Sequence, residues 1–526
     1  MKHLICGAQL LDIQEELQES ENIICLPNGH TDKLIQLLGN HWRIRSVLLH
    51  AFSDNSDTLI EERERMLFAG GSKKPIEGNL FFLDNIESGE SLMLSSEAPD
   101  FVTTLLYVKH GELWIENLGN AIAIGYGKTD EIEAICRTYY KRAMINKLPR
   151  TMSNTWGDRH GADRVCRDFV LREIQAAREI GVDIVQIDDG WQTGHTYDKA
   201  NLNEQGRRIF RGDFWEFDPE RFPGGMTEIT AAVHEGGLKL GLWFAPDSEN
   251  NYAYLERDLS VLKKAYAEWG VRFFKLDMYW IESNENKEQF LKLLKTIYSF
   301  GDDVAVQLDV TRDQRINYLC GKEYGSIFVE NRYTKSANAY PYRVLRNLWS
   351  FSKYLPTTRF QFELVNPDLY RESYPENDPF APSHYGMDYL FASVMLSNPL
   401  FWMELQFLSE ERRAELAPIM KVWRRLREEI ATADIQPIGE RPDGRSLTGF
   451  AVRGKENSYL LLFRELTDRD TLDLKFTKAV EIQKTLISNT DVTATAQGDR
   501  ISVTLSKPCS YALIEINMGT NEKTSL

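Results

Sequence analysis

Eight short apolar runs alternate with amphipathic stretches between residues 151 and 405, and this repeat narrows the fold more than any other feature. The runs are 151–156, 182–187, 238–244, 271–276, 304–308, 326–329, 359–364 and 396–405. Helical spacing follows them, most clearly at 164–179 and 286–299, and a helix is expected after the fifth run as after the others. Strand–helix units repeated eight times over about 255 residues predict a closed (β/α)8 TIM barrel. A doubly wound open sheet is the competing architecture. No Gly-x-Gly-x-x-Gly turn follows any of the runs, which argues against it.

At 526 residues the chain exceeds one ordinary core, so further domains are expected. Residues 1–140 carry short alternating runs at 44–52, 80–83, 101–108 and 113–115, broken by Asn, Gly and Ser, and predict an N-terminal antiparallel β-sandwich. Helical spacing over 130–147 links it to a barrel domain spanning 141–432. That domain closes with a long helix beginning at Ser409-Glu410-Glu411-Arg412. Residues 433–526 return to short runs at 447–452, 459–463, 480–483, 501–505 and 511–516, a second β-sandwich. The polar end, 519–526, is expected to fray. The fold class is therefore multidomain α/β, with a central barrel flanked by two sandwiches.

A net charge of −16 argues against nucleic acid or an anionic membrane as partner. The six cysteines form no C-x-x-C pair, so neither a zinc site nor a disulfide framework is expected. No run approaches the ~20 apolar residues of a membrane span, and the first residues lack the pattern of a secretion signal. The expected compartment is the cytoplasm.

In such a barrel, polar residues at the carboxyl ends of the strands converge on one mouth. Here those ends supply Trp156-Gly157-Asp158-Arg159, then Asp188-Asp189-Gly190-Trp191, Trp243 with Asp247, Lys275 with Asp277, Asp309, Glu330-Asn331-Arg332, Glu363, and Trp402 with Glu404. Acids interleaved with tryptophan suit a sugar, whose hydroxyls donate to carboxylates and whose C–H face packs on aromatic rings. Lys275 lies two residues before Asp277 on one strand, so both point the same way, and the lysine keeps the aspartate ionised. Asp277 is accordingly the expected nucleophile, and Glu330 the expected general acid/base. A separation of ~5–5.5 Å would make the reaction a retaining double displacement.

Each residue also has a plainer reading. Asp188 and Asp189 fit a helix cap, and Trp243 and Trp402 fit barrel-core aromatics. Asp309 fits an ion pair with Arg312 or Arg315, and Arg332 a simple salt bridge. Asp247, Glu363 and Glu404 read as structural. His160 and His195 lack ligand spacing, so no metal and no cofactor is expected.

Asn154-Thr155-Trp156, Ile187-Asp188-Asp189-Gly190-Trp191-Gln192, Gly241-Leu242-Trp243-Phe244 and Lys275-Leu276-Asp277 stand in the order seen in glycoside hydrolase family 36, the melibiase-like α-galactosidases, and the chain resembles that family over about 150–430. Met403-Glu404-Leu405 and the following Leu408-Ser409-Glu410-Glu411 add to the resemblance. It implies a retaining, exo-acting α-galactosidase without a metal, acting on small glycosides or oligosaccharides. By the same resemblance Asp277 is the nucleophile and Lys275 binds the sugar, Asp188 and Asp189 read its 4- and 6-hydroxyls, and Trp156, Trp191 and Trp243 line the pocket. Ala245-Pro246-Asp247 stands where the family commonly has a glutamate, and two other departures matter most. Val329-Glu330-Asn331-Arg332 replaces a Ser-Asp-Asn-Thr-Asp-like strand end, so the acid/base is Glu330 or Asp309. Leu308-Asp309-Val310-Thr311-Arg312 replaces the Cys-Ser-Gly-Gly-Gly segment that faces the sugar's 2-position, which leaves that substituent open. The open alternatives are an α-N-acetylgalactosaminidase, another α-glycosidase or transglycosidase, and a carbohydrate-binding protein without catalysis. Asp54 and Asp57 are candidates to reach a barrel mouth in a neighbouring subunit, so a homo-oligomer is compatible.

Overall fold

The computed structural model describes residues 4–5, 8–10, 18–20, 22–26, 34–39, 41–50, 59–67, 71, 74–158, 161–196, 202–203, 210, 214–311 and 315–518. Arg159, His160, Arg312, Asp54, Asp57 and the 519–526 end lie outside them.

The eight apolar runs close into a parallel barrel. Its strands, first to eighth, are Met152–Asn154, Ile184–Ile187, Lys239–Phe244, Val271–Leu276, Ala305–Asp309, Ser326–Phe328, Phe360–Leu364 and Asn398–Phe401. Alternation along each strand sorts side chains into layers. Met152, Ile184, Phe273, Ala305, Phe328, Leu400 and Trp402 form one apolar cluster inside the barrel. Their odd-numbered neighbours on the fourth and fifth strands, Lys275 and Gln307, pair across the sheet, so Asp277 and Asp309 come level two residues later. The register then sets Phe328, not Glu330, beside Asp309. Glu330 stands two residues past the end of the sixth strand.

Helices cover the outside because each has one apolar face. Leu293, Leu294 and Ile297 of Asn284–Tyr298 are fully buried, and Ser283 caps that helix by accepting from Asn286 N at 3.1 Å. The long helix Glu410–Thr432 starts where its Ser-Glu-Glu signature places it, with Ser409 accepting from Arg412 N at 3.2 Å. Gly270 ends the helix Leu255–Trp269 at φ 70°, a conformation that lets the chain turn at once into the fourth strand.

One expected helix does not form. Between the fifth and sixth strands the described residues contain no α-helix. Ile316–Cys320 is instead a buried irregular segment, and Gly321 and Gly325 take φ 64° and 67° to turn the chain back into the sixth strand. Its backbone groups are used otherwise than in a helix: the Arg315 carbonyl accepts from Asp100 N of the N-terminal domain, and the Leu319 and Cys320 amides donate to the Asn317 side chain.

Among the described residues the N-terminal domain has a six-stranded and a seven-stranded antiparallel sheet, with Ile24, Ile35, Ile44, Phe81, Leu94, Leu106 and Leu113 packed between them. The other face of the seven-stranded sheet (Val47, Leu80, Phe82, Met93) joins the main core with Ile132, Cys136 and Tyr140 of the linker helix Ile132–Ala143. The C-terminal domain pairs a five-stranded with a three-stranded sheet. Its strands Asp434–Gly439, Thr471–Lys475 and Val492–Gln497 go beyond the sequence expectation. Thr471–Lys475 and Val492–Gln497 alternate exposed and half-buried residues, and Asp434–Gly439 is mostly half-buried, so they carry little apolar signal.

Leu348 on the helix Pro341–Ser352 is fully buried in the main core. Leu348→Ala is expected to destabilise the barrel by about 2–5 kcal/mol, read as a lower denaturant midpoint with an unchanged slope.

Candidate functional site

Five strand ends, the first to the fifth, contribute to a connected polar group above the apolar layer. Asn154 at the end of the first strand donates to Gln186 Oε1 and to Asp188 Oδ2, both at 2.6 Å. Asp188 Oδ2 also lies 3.0 Å from Lys275 Nζ, and Asp188 Oδ1 accepts from Asp189 N at 2.9 Å. Lys275 Nζ is 3.7 Å from Asp309 and sits over the rings of Trp402 and Phe328 at 5.2 and 5.5 Å. Burial works against this ammonium, but the charges of Asp188, Asp277 and Asp309 outweigh it and keep the lysine protonated.

Asp277 is the better exposed of these acids, its side chain 17% accessible. Its Oδ1 accepts from Arg315 Nη1 at 2.9 Å and from Met278 N at 2.6 Å, and its Oδ2 from Trp243 Nε1 at 3.2 Å. Burial pushes the carboxyl up. Arg315 and Lys275, helped by those donors, win and hold it below the usual aspartate range. The same Arg315 Nη1 donates to Asp309 Oδ1 at 3.0 Å and to the Asp309 carbonyl at 2.8 Å. Thr311 adds two further donors to Asp309 Oδ1, at 3.0 and 2.8 Å. Even so, burial and the Asp277 charge push the Asp309 carboxyl up to about 6. Asp189 is also raised to about 6, chiefly by burial. Its Oδ1 accepts from Gln192 at 2.6 Å and Thr196 at 2.8 Å, while its buried Oδ2 has no hydrogen-bond partner. Asp188, Asp189, Asp277 and Asp309 thus face two cations, Lys275 and Arg315. Four acids around two positive charges favour keeping a proton, while Asp277 stays ionised.

Of the sequence candidates, Asp188, Asp189, Lys275, Asp277, Trp243 and Asp309 come together. Glu330 makes its contacts elsewhere. It is 2% exposed, accepts from Asn347 on the helix Pro341–Ser352, and lies 3.4 Å from Arg332 Nε. Among the described residues no hydrogen bond or ion pair joins it to the Asp277 group. Arg332 N donates to Glu363 Oε1 at 2.6 Å, and burial together with Glu330 raises the Glu363 carboxyl well above its usual range. Trp191 has no exposed surface. It packs against Trp215, Phe217 and Trp269 and donates to the Trp243 carbonyl at 3.0 Å, so a sugar cannot stack on it without repacking. Trp156 is part-buried and donates to Tyr333 Oη at 3.2 Å. Trp402 is a core aromatic, 5.2 Å from Phe328. Asp247 pairs with Arg257 at 3.3 Å and Glu404 with Arg164 at 2.6 Å.

Sequence reasoning gave Asn154, Gln192 and Thr311 no role, although all three stand inside quoted stretches. Arg315 entered only as a salt-bridge partner of Asp309. Its second bond, to Asp277, depends on a loop path that no local pattern encodes.

A family model described as Melibiase matches residues 152–261. The bifunctional alpha-galactosidase/sucrose kinase AgaSK of Mediterraneibacter gnavus is 25% identical over 138 residues, 26% of this chain and 12% of that protein. Alpha-galactosidase Mel36A of Lactobacillus acidophilus is 31% identical over 115 residues, 22% of this chain and 14% of that protein. The similarity therefore spans about a seventh or less of these relatives' length. A solved glycoside hydrolase family 36 α-galactosidase, AgaA of Geobacillus stearothermophilus, superposes with a TM-score of 0.64 at 12% identity, covering 94% of this chain and 79% of that one. A variant of AgaA solved with raffinose gives 0.63 at 12% identity, over the same shares. At this identity the likeness is one of fold, and it takes in both flanking domains.

The raised Asp309 carboxyl has a signed consequence. Its folded form holds a proton more tightly than the unfolded chain does, so it stabilises at low pH and the contribution is lost as pH climbs to about 6. Asp309→Asn should gain stability relative to the parent across about pH 4 to 6. Thermal melts at matched ionic strength check this, and a parallel pH dependence of the two proteins contradicts it.

Proposed function

We propose that this divergent melibiase-like chain, built on the glycoside hydrolase family 36 fold, is a retaining exo-acting α-glycosidase that removes terminal α-linked galactose. The observation that carries the reading is Asp277, held ionised by Arg315 and Lys275 beside a second acid, Asp309, whose carboxyl is pushed up to about 6. An ionised, partly exposed carboxylate at a barrel mouth is suited to attack an anomeric carbon. The relatives named as α-galactosidases support the choice of sugar, and the neighbour solved with raffinose supports a small oligosaccharide as substrate.

In this mechanism Asp277 displaces the aglycone and forms a covalent glycosyl-enzyme, and a protonated acid gives its proton to the leaving oxygen. Asp309 takes the acid/base role. One nitrogen of Arg315 lies 2.9 and 3.0 Å from Asp277 and Asp309, so the two carboxyls are within about 6 Å, near the retaining separation. A pKa near 6 lets Asp309 both give and take a proton around neutrality. Asn154, Asp188 and Lys275 present a fixed polar wall for hydroxyls, and the unpartnered Asp189 Oδ2 is an acceptor awaiting a donor.

Glu330 is the second reading for the acid/base. It is favoured by its place after the sixth strand and by its buried Oε2, which has no hydrogen-bond partner. Substrates with a 2-acetamido group, and transfer to sugar acceptors, remain rival uses of the same centre.

Asp277→Ala should lose about 10³-fold or more in turnover of an aryl α-galactoside, and near-parental activity would end the proposal. Asp309→Asn should slow a poor leaving group by about 10²-fold or more while sparing an activated aryl galactoside, with azide restoring rate. If Glu330→Gln shows that pattern and Asp309→Asn does not, the acid/base is Glu330. A nitrophenyl glycoside panel with and without the 2-acetamido group sorts the sugar.

A further inference from the structure

The group that joins Asp277 to Asp309 comes from the segment that fails to form a helix, and that segment is fastened to another domain. Arg315 is buried, with Nη1 shared between the two carboxyls. Its own carbonyl accepts from Asp100 N of the N-terminal sandwich at 3.2 Å. Two residues on, Asn317 donates its side-chain amide to the Ala98 carbonyl, again in that sandwich. Its oxygen accepts from Leu319 N at 2.9 Å and Cys320 N at 3.0 Å, which shapes the turn. Tyr318 donates to the His50 carbonyl at 2.7 Å, just past the strand Trp42–Leu49, and its ring packs on Phe351 and Phe360. Asn317, Tyr318, Leu319 and Cys320 are all buried. Three residues of this loop, Arg315, Asn317 and Tyr318, are thus each bonded to the sandwich, and the first of them holds the catalytic pair.

We propose that the N-terminal sandwich is a working part of the catalytic site: its Ala98, Asp100 and His50 backbone clamps residues 315–318 so that Arg315 acts as a positioning residue for Asp277 and Asp309. The inference rests on the glycosidase reading for its kinetic consequences, though the clamp itself does not. A guanidinium that fixes two acids at once sets both their spacing and their charge, and small displacements of such a group are costly in rate. Asn317 and Tyr318 reach substrate only through Arg315, so they position and do not catalyse. Lys275, Asp188, Asp189 and Tyr279 also face the pair. Of the charged groups beside the clamp, Asp100 and Glu330 act on Tyr318, and Lys287, Glu97, Lys322 and Glu323 act on Cys320.

The test uses the full chain with Tyr318→Phe, Asn317→Ala and, as reference, Arg315→Lys. Loosening Arg315 weakens the cation on Asp277, so the acidic limb of kcat/KM for a nitrophenyl α-galactoside should move up by about half a pH unit or more in all three. In the clamp variants kcat should fall about five- to fiftyfold with KM within about twofold of the parent. A readout without turnover runs beside it: the pH below which a water-soluble carbodiimide modifies Asp277, mapped by peptide mass spectrometry, should rise by the same shift. A clamp variant that melts at lower temperature but keeps the parent's pH profile and labelling curve would overturn the proposal. If Asn317→Ala does not fold, Tyr318→Phe, which loses a single hydroxyl, carries the test. A parent inactive on every α-glycoside would sink the glycosidase reading, and the labelling shift would then decide the clamp by itself.

Discussion

A lysine buried among three carboxylates is the interaction on which the centre depends. An ammonium taken out of water is costly unless partners replace its hydration. Lys275 has Asp188 at 3.0 Å, Asp309 at 3.7 Å and aromatic faces beside it, and in turn it makes tolerable three acids that would otherwise repel. Removing any one partner leaves the others unbalanced. This coupling makes the strand ends of the second, fourth and fifth strands a single electrostatic unit.

The unit is built by register as much as by residue type. Lys275 pairs with Gln307 across the sheet, and the two-residue period then brings Asp277 level with Asp309. The same register leaves Glu330 and Glu363 a step higher, past the end of the sixth strand and on the seventh, where Arg332 and Asn347 bind them into a separate buried cluster. Two acid pairs at two heights, each with its own cation, have different environments: one reaches solvent through Asp277, the other is closed.

Much of this was legible in the sequence. The eight strands lie where the apolar runs stand, because a buried parallel strand must be apolar throughout and helices between strands must not be. The Lys275–Asp277 pair and the Asp188-Asp189 step were visible as carboxylates ending buried strands. What stayed hidden depends on long-range placement. Glu330 reads like an acid/base from its position after Val329, yet its carboxylate is taken by Asn347, seventeen residues away on a helix. Trp191 reads like a sugar platform, yet Trp215, Phe217 and Trp269 enclose it. Arg315 looked like one salt bridge and makes two, because the N-terminal sandwich holds its loop across the barrel end. The missing fifth helix and the hidden arginine belong to one segment.

The central claim is that Asp277 is the ionised nucleophile of a double displacement. Incubating the protein with a fluorinated α-galactosyl fluoride that slows the second displacement, then mapping the modified peptide, tests it most directly. The account predicts one sugar per chain, bound as an ester to Asp277 and released by an added acceptor. An adduct on Asp309 or Glu330, or no adduct from a protein that nonetheless cleaves the substrate, would contradict it.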